Sequence, residues 1–236
     1  GNTYYALTFN GSGGTWTPNG TLTVNNNLTI TAGTYQAGAQ SFTITGTSSI
    51  TGTLADNNTG GTNIFVGAVT INSGGIWNSS VAEDFEFRAG LTNDSSAGFT
   101  SGSGTYTFST NAQTVSGSQS FTITALSNTI TSSTGLTFSG AQPTVTTLTQ
   151  GSSAILTFTG TVPTITTLTA SASSNTVQYT STGAQTVKAA TYVNLTKSGV
   201  GGTATLGGTT VVNGTLTLTS GTLDANNNAV TIAGSL

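Results

Sequence analysis

The residues with the clearest capacity for chemistry form a short acidic run in the first half of the chain. Glu83, Asp84 and Glu86 lie within four positions, and Arg88 follows two residues later. If residues 83 to 88 form a strand, Asp84, Glu86 and Arg88 point to one face, because side chains alternate along a strand. Two carboxylates on one face could serve a glycosidase or hold calcium. A solvated charged strand, with Arg88 partly neutralising its neighbours, explains the same pattern with fewer assumptions.

Other catalytic chemistry is limited by the residue types that the chain lacks. It contains no histidine and no cysteine, which excludes a Ser/His/Asp triad, thiol chemistry and the usual zinc sites. The glycine-rich runs GSGG (11–14) and GVGG (199–202) precede no helical pattern that could hold phosphate, so we interpret both as turns. We therefore predict that the chain is not an enzyme and has no catalytic, cofactor-binding or metal-binding residues.

Threonine recurs in strand-like triplets such as TLT, TIT and TLTLT. Stacked on one flat face, these side chains would form a ladder of hydroxyl and methyl groups, like the surface that β-solenoid ice-binding proteins present. Threonine is also a favoured outward residue on any exposed strand, and the triplets fall on several predicted strands of each coil. Ice binding therefore stays an alternative function, beside a polysaccharide-binding or polysaccharide-degrading role for the acidic run.

Charge is scarce along the whole chain. Charged residues make up 4% of the 236 residues, against about 25% in a typical domain. The net charge is -3, and the only cations are Arg88, Lys188 and Lys197. A nucleic-acid partner needs a basic face to displace counterions, and a polybasic membrane contact needs clustered cations, so both are excluded. No stretch approaches the roughly 18 to 20 apolar residues of a membrane helix, so we predict no membrane insertion.

The chain repeats itself at several scales. Residues 3–48 align with residues 191–236 without a gap, and 22 of the 46 positions are identical. A shorter tandem pair joins residues 136–155 to residues 156–175, and the turn sequence AQTV occurs twice. Tandem units of this size predict a solenoid, because each unit can bury its apolar face only against its neighbours.

The spacing of the apolar residues predicts the shape of one coil. In residues 211–234, strands centred near 217, 223 and 231 are separated by SG and NNN turns. Strict alternation indicates strands with one buried face, and a spacing of about 7 residues is shorter than the 8 to 12 that is usual in a sandwich. Three short strands every 20 to 22 residues or so fit one coil of a parallel β-helix.

We therefore predict an all-β fold, a parallel β-helix (β-solenoid) of roughly 10 to 11 coils, right-handed by the general preference of crossovers. Residues 1–236 are expected to form a single β-solenoid domain. Residues 51–104 are less regular, and the segments 55–63 and 93–98 are expected to bulge out as loops. The main rival fold is a set of antiparallel β-sandwich modules, polymerised by strand donation.

Three segments carry a resemblance to a known class of proteins: FVGAVTINSGGIWN (65–78), FEFRAGLTNDSSAGFTSGSGTYTFS (85–109) and VNGTLTLTSGTLDANNNAVTIAG (212–234). They resemble the β-strand repeats of very large bacterial surface and secreted proteins, similar to autotransporter passengers and filamentous adhesins. The resemblance covers nearly the whole chain. It implies an extracellular structural or adhesive role, at the cell surface or in a biofilm matrix, and it transfers no catalytic residue.

The ends of the chain indicate how such a protein would assemble. Gly1 enters repeat sequence within two residues and Leu236 stops inside a repeat. Neither end carries a charged helix or a proline that would block pairing with another strand. We expect both ends to join further β structure, as the next subunit of a filament or as more of the same chain. The expected partners are therefore β-solenoid coils, with cell-surface glycans as a further candidate.

Overall fold

A computed structural model of the protein describes residues 1–56 and 61–236. These residues form 29 β-strands and no helix. The strands are β1 (Asn2–Tyr4), β2 (Leu7–Trp16), β3 (Leu22–Val24), β4 (Leu28–Gln36), β5 (Phe42–Ile44), β6 (Ser48–Ile50), β7 (Thr53–Asp56), β8 (Thr62–Phe65), β9 (Val69–Ile71), β10 (Ile76–Ser79), β11 (Asp84–Phe87), β12 (Leu91–Asn93), β13 (Phe99–Thr100), β14 (Thr105–Phe108), β15 (Gln113–Ser116), β16 (Thr122–Asn128), β17 (Leu136–Phe138), β18 (Thr144–Gln150), β19 (Ile155–Phe158), β20 (Thr164–Thr169), β21 (Thr176–Tyr179), β22 (Gln185–Val187), β23 (Thr191–Tyr192), β24 (Asn194–Lys197), β25 (Thr203–Leu206), β26 (Thr210–Val212), β27 (Leu216–Leu218), β28 (Thr222–Asp224) and β29 (Val230–Ile232).

The strands wind into a β-solenoid of about 11 turns, with stacked strands about 21 residues apart in the chain. Every pairing between the described strands is parallel, and the register places Leu22 beside Phe42 and Leu148 beside Leu168. The predicted parallel β-helix is therefore confirmed. The rival prediction of antiparallel sandwich modules is wrong, because neighbouring strands run in the same direction.

The solenoid has three faces, each formed by strands from successive coils. The first face stacks nine strands in the order β1-β3-β5-β8-β11-β14-β16-β18-β20, and a bridge between Ala170 and Tyr192 leads on to β23-β26-β29. The second face runs from β2 and the first part of β4 through β6, β9, β12, β15, β17, β19, β21 and β24 to β27. The third face contains the last part of β4 with β7, β10 and β13, and later in the chain β22, β25 and β28.

The interior is filled by rows of similar side chains, because alternate residues of each strand point inward. One row of the first face passes through Val24, Ile44, Phe65, Phe87 and Phe108. The rings of its three phenylalanines stack with successive centroids 5.5 and 5.2 Å apart. Burial of each such side chain contributes about 1.5–3 kcal/mol, less in total for one coil than the entropy lost on ordering it. The coils therefore stabilise one another cooperatively.

The long sequence repeat has a structural counterpart. Its two copies occupy the same places in their coils, since Tyr4 pairs with Val24 and Tyr192 pairs with Val212. The predicted strand centres near 217, 223 and 231 fall inside β27, β28 and β29. Similar sequence thus produces the same rung of the solenoid at both ends of the chain.

The two segments predicted as loops each lie between two faces of the solenoid: residues 93–98 between the second and third faces, and residues 55–63 between the third and first. Residues 93–98 connect β12 to β13, and Ser95 among them is buried, with its Oγ donating a hydrogen bond to the carbonyl of Gly75 at 2.6 Å. In the segment 55–63, residues 57–60 lie outside the described residues, and positions 55, 56, 62 and 63 belong to β7 and β8.

Candidate functional site

The acidic run lies on the first face, where Asp84–Phe87 form β11. Phe85 and Phe87 point into the core, whereas Asp84 and Glu86 point outward with Arg88. The interpretation of the run as a strand is therefore confirmed. Glu83 is separated from the others, because it is buried with 1% of its surface exposed. The outer surface of β11 and the residue after it therefore carries two carboxylates and one guanidinium.

Glu86 and Arg88 form a two-pronged ion pair. Arg88 Nε and Nη2 donate to Oε1 and Oε2 of Glu86 at 2.9 and 3.0 Å, and Ser109 Oγ donates to Oε1 as well. The hydrogen bond from Arg88 lowers the pKa of Glu86, and the same bond raises the pKa of Arg88. Both groups are partly exposed, so the pair contributes about 0–1 kcal/mol to stability. A carboxylate held ionised in this way is suited to a base or a nucleophile and not to a general acid.

The surroundings of Asp84 offer little room for a ligand. Asp84 Oδ1 accepts a hydrogen bond from the backbone N–H of Thr105 at 2.6 Å. A shallow cleft of about 170 Å³ lies beside it, lined by Asp84, Phe85, Glu86 and Thr107. Ligand pockets commonly measure about 300–1,000 Å³. The cleft is therefore small for a sugar chain, even though its two carboxylates point outward.

A buried polar cluster lies behind this strand. Nδ2 of Asn63 donates to Oδ2 of Asp56 at 2.8 Å and to Oε1 of Glu83 at 3.0 Å, and all three side chains are buried. The sequence pattern does not reveal this cluster, because Asn63 lies 7 residues from Asp56 and 20 residues from Glu83, and the three side chains meet only when the coils stack. Within residues 1–56 and 61–236, no three His, Cys, Asp or Glu side chains lie close enough together to hold a metal ion.

The predicted threonine ladders are densest on β18 and β20. The register aligns threonine with threonine in three columns, Thr144/Thr164, Thr147/Thr167 and Thr149/Thr169. Positions 146 and 147 are both open to solvent, so the strict alternation of the strand is interrupted between them. The columns Thr147/Thr167 and Thr149/Thr169 flank the buried pair Leu148/Leu168 and therefore share one outward face. This surface is uncharged, since residues 95–187 contain no Asp, Glu, Lys or Arg.

The repeated AQTV turn places a glutamine at a corner of the coil. Gln113 Oε1 accepts the N–H of Gly90 at 2.9 Å, and Nε2 donates to the carbonyls of Phe87 and Ser109 at 3.0 and 2.8 Å. Gln185 binds three backbone groups of its own corner in the same way, at 2.8 to 3.1 Å. These buried glutamines satisfy backbone groups that the turn leaves outside the strand ladders.

The glycine-rich runs are structural. GVGG forms the predicted turn after β24, whereas GSGG lies inside β2, where the register against β4 shifts between Asn10 and Thr15. Lys197 Nζ donates to the carbonyls of Ser181 and Gly199 at 3.2 and 2.9 Å, and burial lowers the pKa of Lys197. The turn after β24 thus presents carbonyl oxygens to a cation, which is the opposite polarity to a phosphate cradle.

Both end coils leave inward-facing apolar side chains uncovered. A cavity of about 440 Å³ opens at the N-terminal coil, and it is lined by Asn2, Tyr4, Leu7, Phe9, Trp16, Thr17, Pro18, Asn19, Leu22 and Tyr35. In the C-terminal coil, Leu218, Val230 and Ile232 are 50%, 39% and 37% exposed. In the described structure, β1 and β2 at one end and β28 and β29 at the other each have one backbone edge without a partner strand. The outer edge of β27 is partly paired, because the N–H of Leu216 donates to the carbonyl of Ser235 at 2.9 Å.

In the part of the chain that the structure describes, no helix has the length and apolarity to cross a bilayer. No protein-family model matches the chain, and it matches no curated protein and no solved structure. Its function is therefore inferred from the solenoid and its outer faces.

Proposed function

We propose that this chain is a structural segment of an extracellular filament or adhesin, at the bacterial surface or in a biofilm matrix, and that its end coils join further β structure, of the same chain or of another subunit. The observation that carries the proposal is a filled β-solenoid of about 11 coils in a chain with only 4% charged residues. About 11 coils, at about 4.8 Å per coil, make a rod about 50 Å long. Stacking of such rods would extend a fibre without any change in the fold.

The outer faces support the same role. Their side chains are mainly Thr, Ser and Asn, and charged residues make up 4% of the chain. Such a surface offers hydroxyl and amide groups for hydrogen bonds to other fibres or to glycans, and the Glu86–Arg88 pair leaves little net charge on the acidic strand. A polysaccharide-active site would need a groove beside β11, where the cleft measures only about 170 Å³.

Immunogold electron microscopy tests the proposal. Antibodies raised against the folded chain are applied to intact cells of the organism that produces it and to its shed fibres, with pre-immune serum as the control. Gold particles on surface fibres or on the matrix are the expected result. Label confined to the cytoplasm of sectioned cells would refute the extracellular role.

Ice binding is a second candidate, favoured by the exposed threonine columns of β18 and β20 in the charge-free span 95–187. Thermal hysteresis of the purified chain tests it. A positive result should be lost in the variant Thr167→Lys/Thr169→Lys and kept in the control Thr231→Lys, which adds charge far from the columns. Zero hysteresis in the unmodified chain removes this candidate.

A further inference from the structure

We infer that the solenoid contains a hinge inside the molecule, between β20 and the strands β22 and β23 that follow it. The coils on either side open there about the second face, which stays paired. We call this place the junction. The hinge is a property of the fold and goes beyond the proposed function, because it does not depend on where the chain is located or on what it joins.

The junction is the place where two of the three faces lose their strand ladder. On the first face, β20 is the last of nine paired strands, and β23 begins a separate set of three. On the third face, β22 likewise begins a new set with β25 and β28. Apart from the bridge between Ala170 and Tyr192, β20 pairs only with β18 in the described structure. Pairing from coil to coil is therefore interrupted on these two faces.

The second face crosses the junction without interruption. β21 pairs with β24 along its whole length, and β24 pairs in turn with β27. At the corner that follows this face, Gln185 Nε2 donates to the carbonyls of Phe158 and Gly160 in the preceding coil at 2.9 and 2.8 Å. The hydrogen bonds between the two groups of coils are therefore concentrated on one side of the junction, which is the arrangement of a hinge.

The core is less closed after β20 than after the strand before it. Val145 and Leu148 of β18 are 0% exposed, because β20 lies beside them with Ile165 and Leu168 in register. Ile165 and Leu168 are 4% and 8% exposed. The same inward positions thus lose part of their cover one coil later, as expected where the next coil does not pair.

Two buried tyrosines hold the segment that leaves the ladder. The N–H of Lys188 donates to Oη of Tyr179 at 3.0 Å, and Oη of Tyr192 donates to the carbonyl of Lys188. The two hydroxyl oxygens lie 3.5 Å apart, and both side chains are buried. Side chains thus satisfy the backbone of Lys188 where a strand ladder is absent. We infer that this tyrosine pair is the latch that keeps the junction closed.

The junction coincides with a boundary in the sequence. The second copy of the long repeat begins at Thr191, the first residue of β23. Within that copy β23 pairs with β26, as β1 pairs with β3 in the first copy. The junction therefore joins two groups of coils that begin with the same repeat. Each coil of a solenoid is stabilised by its neighbours, so the stack opens first where the contact between neighbours is weakest.

Distances between pairs of spin labels test the hinge, because the chain has no native cysteine to interfere with labelling. The pair Thr107→Cys/Val211→Cys lies on the first face and crosses the junction over five coil steps, or about 24 Å. The control Thr43→Cys/Thr149→Cys spans five paired steps of the same face before the junction. Double electron–electron resonance should give the crossing pair a distance distribution about twice as broad as that of the control, with a population at longer distance.

Two further comparisons locate the axis and the latch. The pair Thr114→Cys/Thr217→Cys crosses the junction on the second face and should give a distribution as narrow as the control. Tyr179→Phe/Tyr192→Phe, added to the crossing pair of the first face, should enlarge the population at longer distance. Tyr35→Phe should leave it unchanged, because Oη of Tyr35 has no hydrogen-bond partner in the described structure.

Circular dichroism checks that every labelled variant keeps its β structure. Equal widths for the first-face crossing pair and its control would overturn the hinge. A second-face pair as broad as the first-face crossing pair would overturn it as well, because the two groups of coils would then separate as whole bodies. An unchanged distribution in the tyrosine double variant would overturn the assignment of the latch.

Discussion

Replacement of Gln113 by leucine measures how much the corner glutamines contribute to the stack. The change leaves the N–H of Gly90 without the Gln113 Oε1 acceptor that lies 2.9 Å away, and a buried unsatisfied N–H costs about 1–3 kcal/mol. The carbonyl of Phe87 keeps its bond from the N–H of Ser109 at 3.0 Å, so the loss of each Gln113 Nε2 bond costs only about 0.5–1.5 kcal/mol. The greater apolar burial of leucine offsets about 1 kcal/mol. We therefore expect a net loss of about 1–5 kcal/mol, with about 3 kcal/mol at the middle of this range.

Thermal and urea unfolding followed by circular dichroism give the assay. For a chain of this size, a loss of about 3 kcal/mol lowers the midpoint by about 6–12 °C. The matched control is Gln178→Leu, because Gln178 is outward and half-buried, and its Oε1 accepts only a 3.4 Å hydrogen bond from Thr157. The control should change stability by less than about 0.5 kcal/mol. If the two variants unfold alike, the corner glutamines do not satisfy the backbone in the way described.

Three further predictions concern close packing, high pH and the buried lysine. In Gly104→Ala the new Cβ would overlap the carbonyl oxygen of Glu83 in the neighbouring coil, so we expect a loss of about 1–3 kcal/mol or more in urea unfolding. The control Gly160→Ala, whose new Cβ would have nothing within 4 Å, should be neutral. Burial raises the pKa of Tyr179 to about 12, above the value of about 10 in an unfolded chain. The unfolded state therefore loses its proton first, and the stabilising effect that is complete below about pH 10 should fall by about 1.4 kcal/mol per pH unit up to about pH 12. Urea unfolding that gives the same stability at about pH 10 and at about pH 12 would contradict this. Lys197→Met removes two charged hydrogen bonds to backbone carbonyls, and the loss of each bond should lower the free energy of unfolding by at most about 1.5–3 kcal/mol. The control Lys188→Met keeps the backbone hydrogen bonds of that residue, so its free energy of unfolding should stay close to that of the unmodified chain.

The acidic strand shows what could be predicted about the candidate site. Alternation of apolar and charged residues placed Asp84, Glu86 and Arg88 on one outward face, because strand side chains have a period of two. The buried position of Glu83 could not be read from the same run, since it depends on Asn63 arriving from the coil before it. The Thr ladders were predicted as well, but the interruption of the alternation at positions 146 and 147 could not be read from the sequence pattern.

The sequence by itself determined that the fold is all-β and favoured a solenoid over a sandwich, because its repeats and the apolar spacing of residues 211–234 fit short strands that return every 20 to 22 residues or so. It also excluded whole classes of chemistry, since no fold can supply the histidine, cysteine and clustered cations that the chain lacks. Only the tertiary structure decided which side chains meet across coils, such as Gln113 with Gly90. It also decided that Glu83 is buried while Asp84 and Glu86 point outward. The physical reason is that contacts between coils depend on register and on what lies above and below each rung, which a local pattern does not contain.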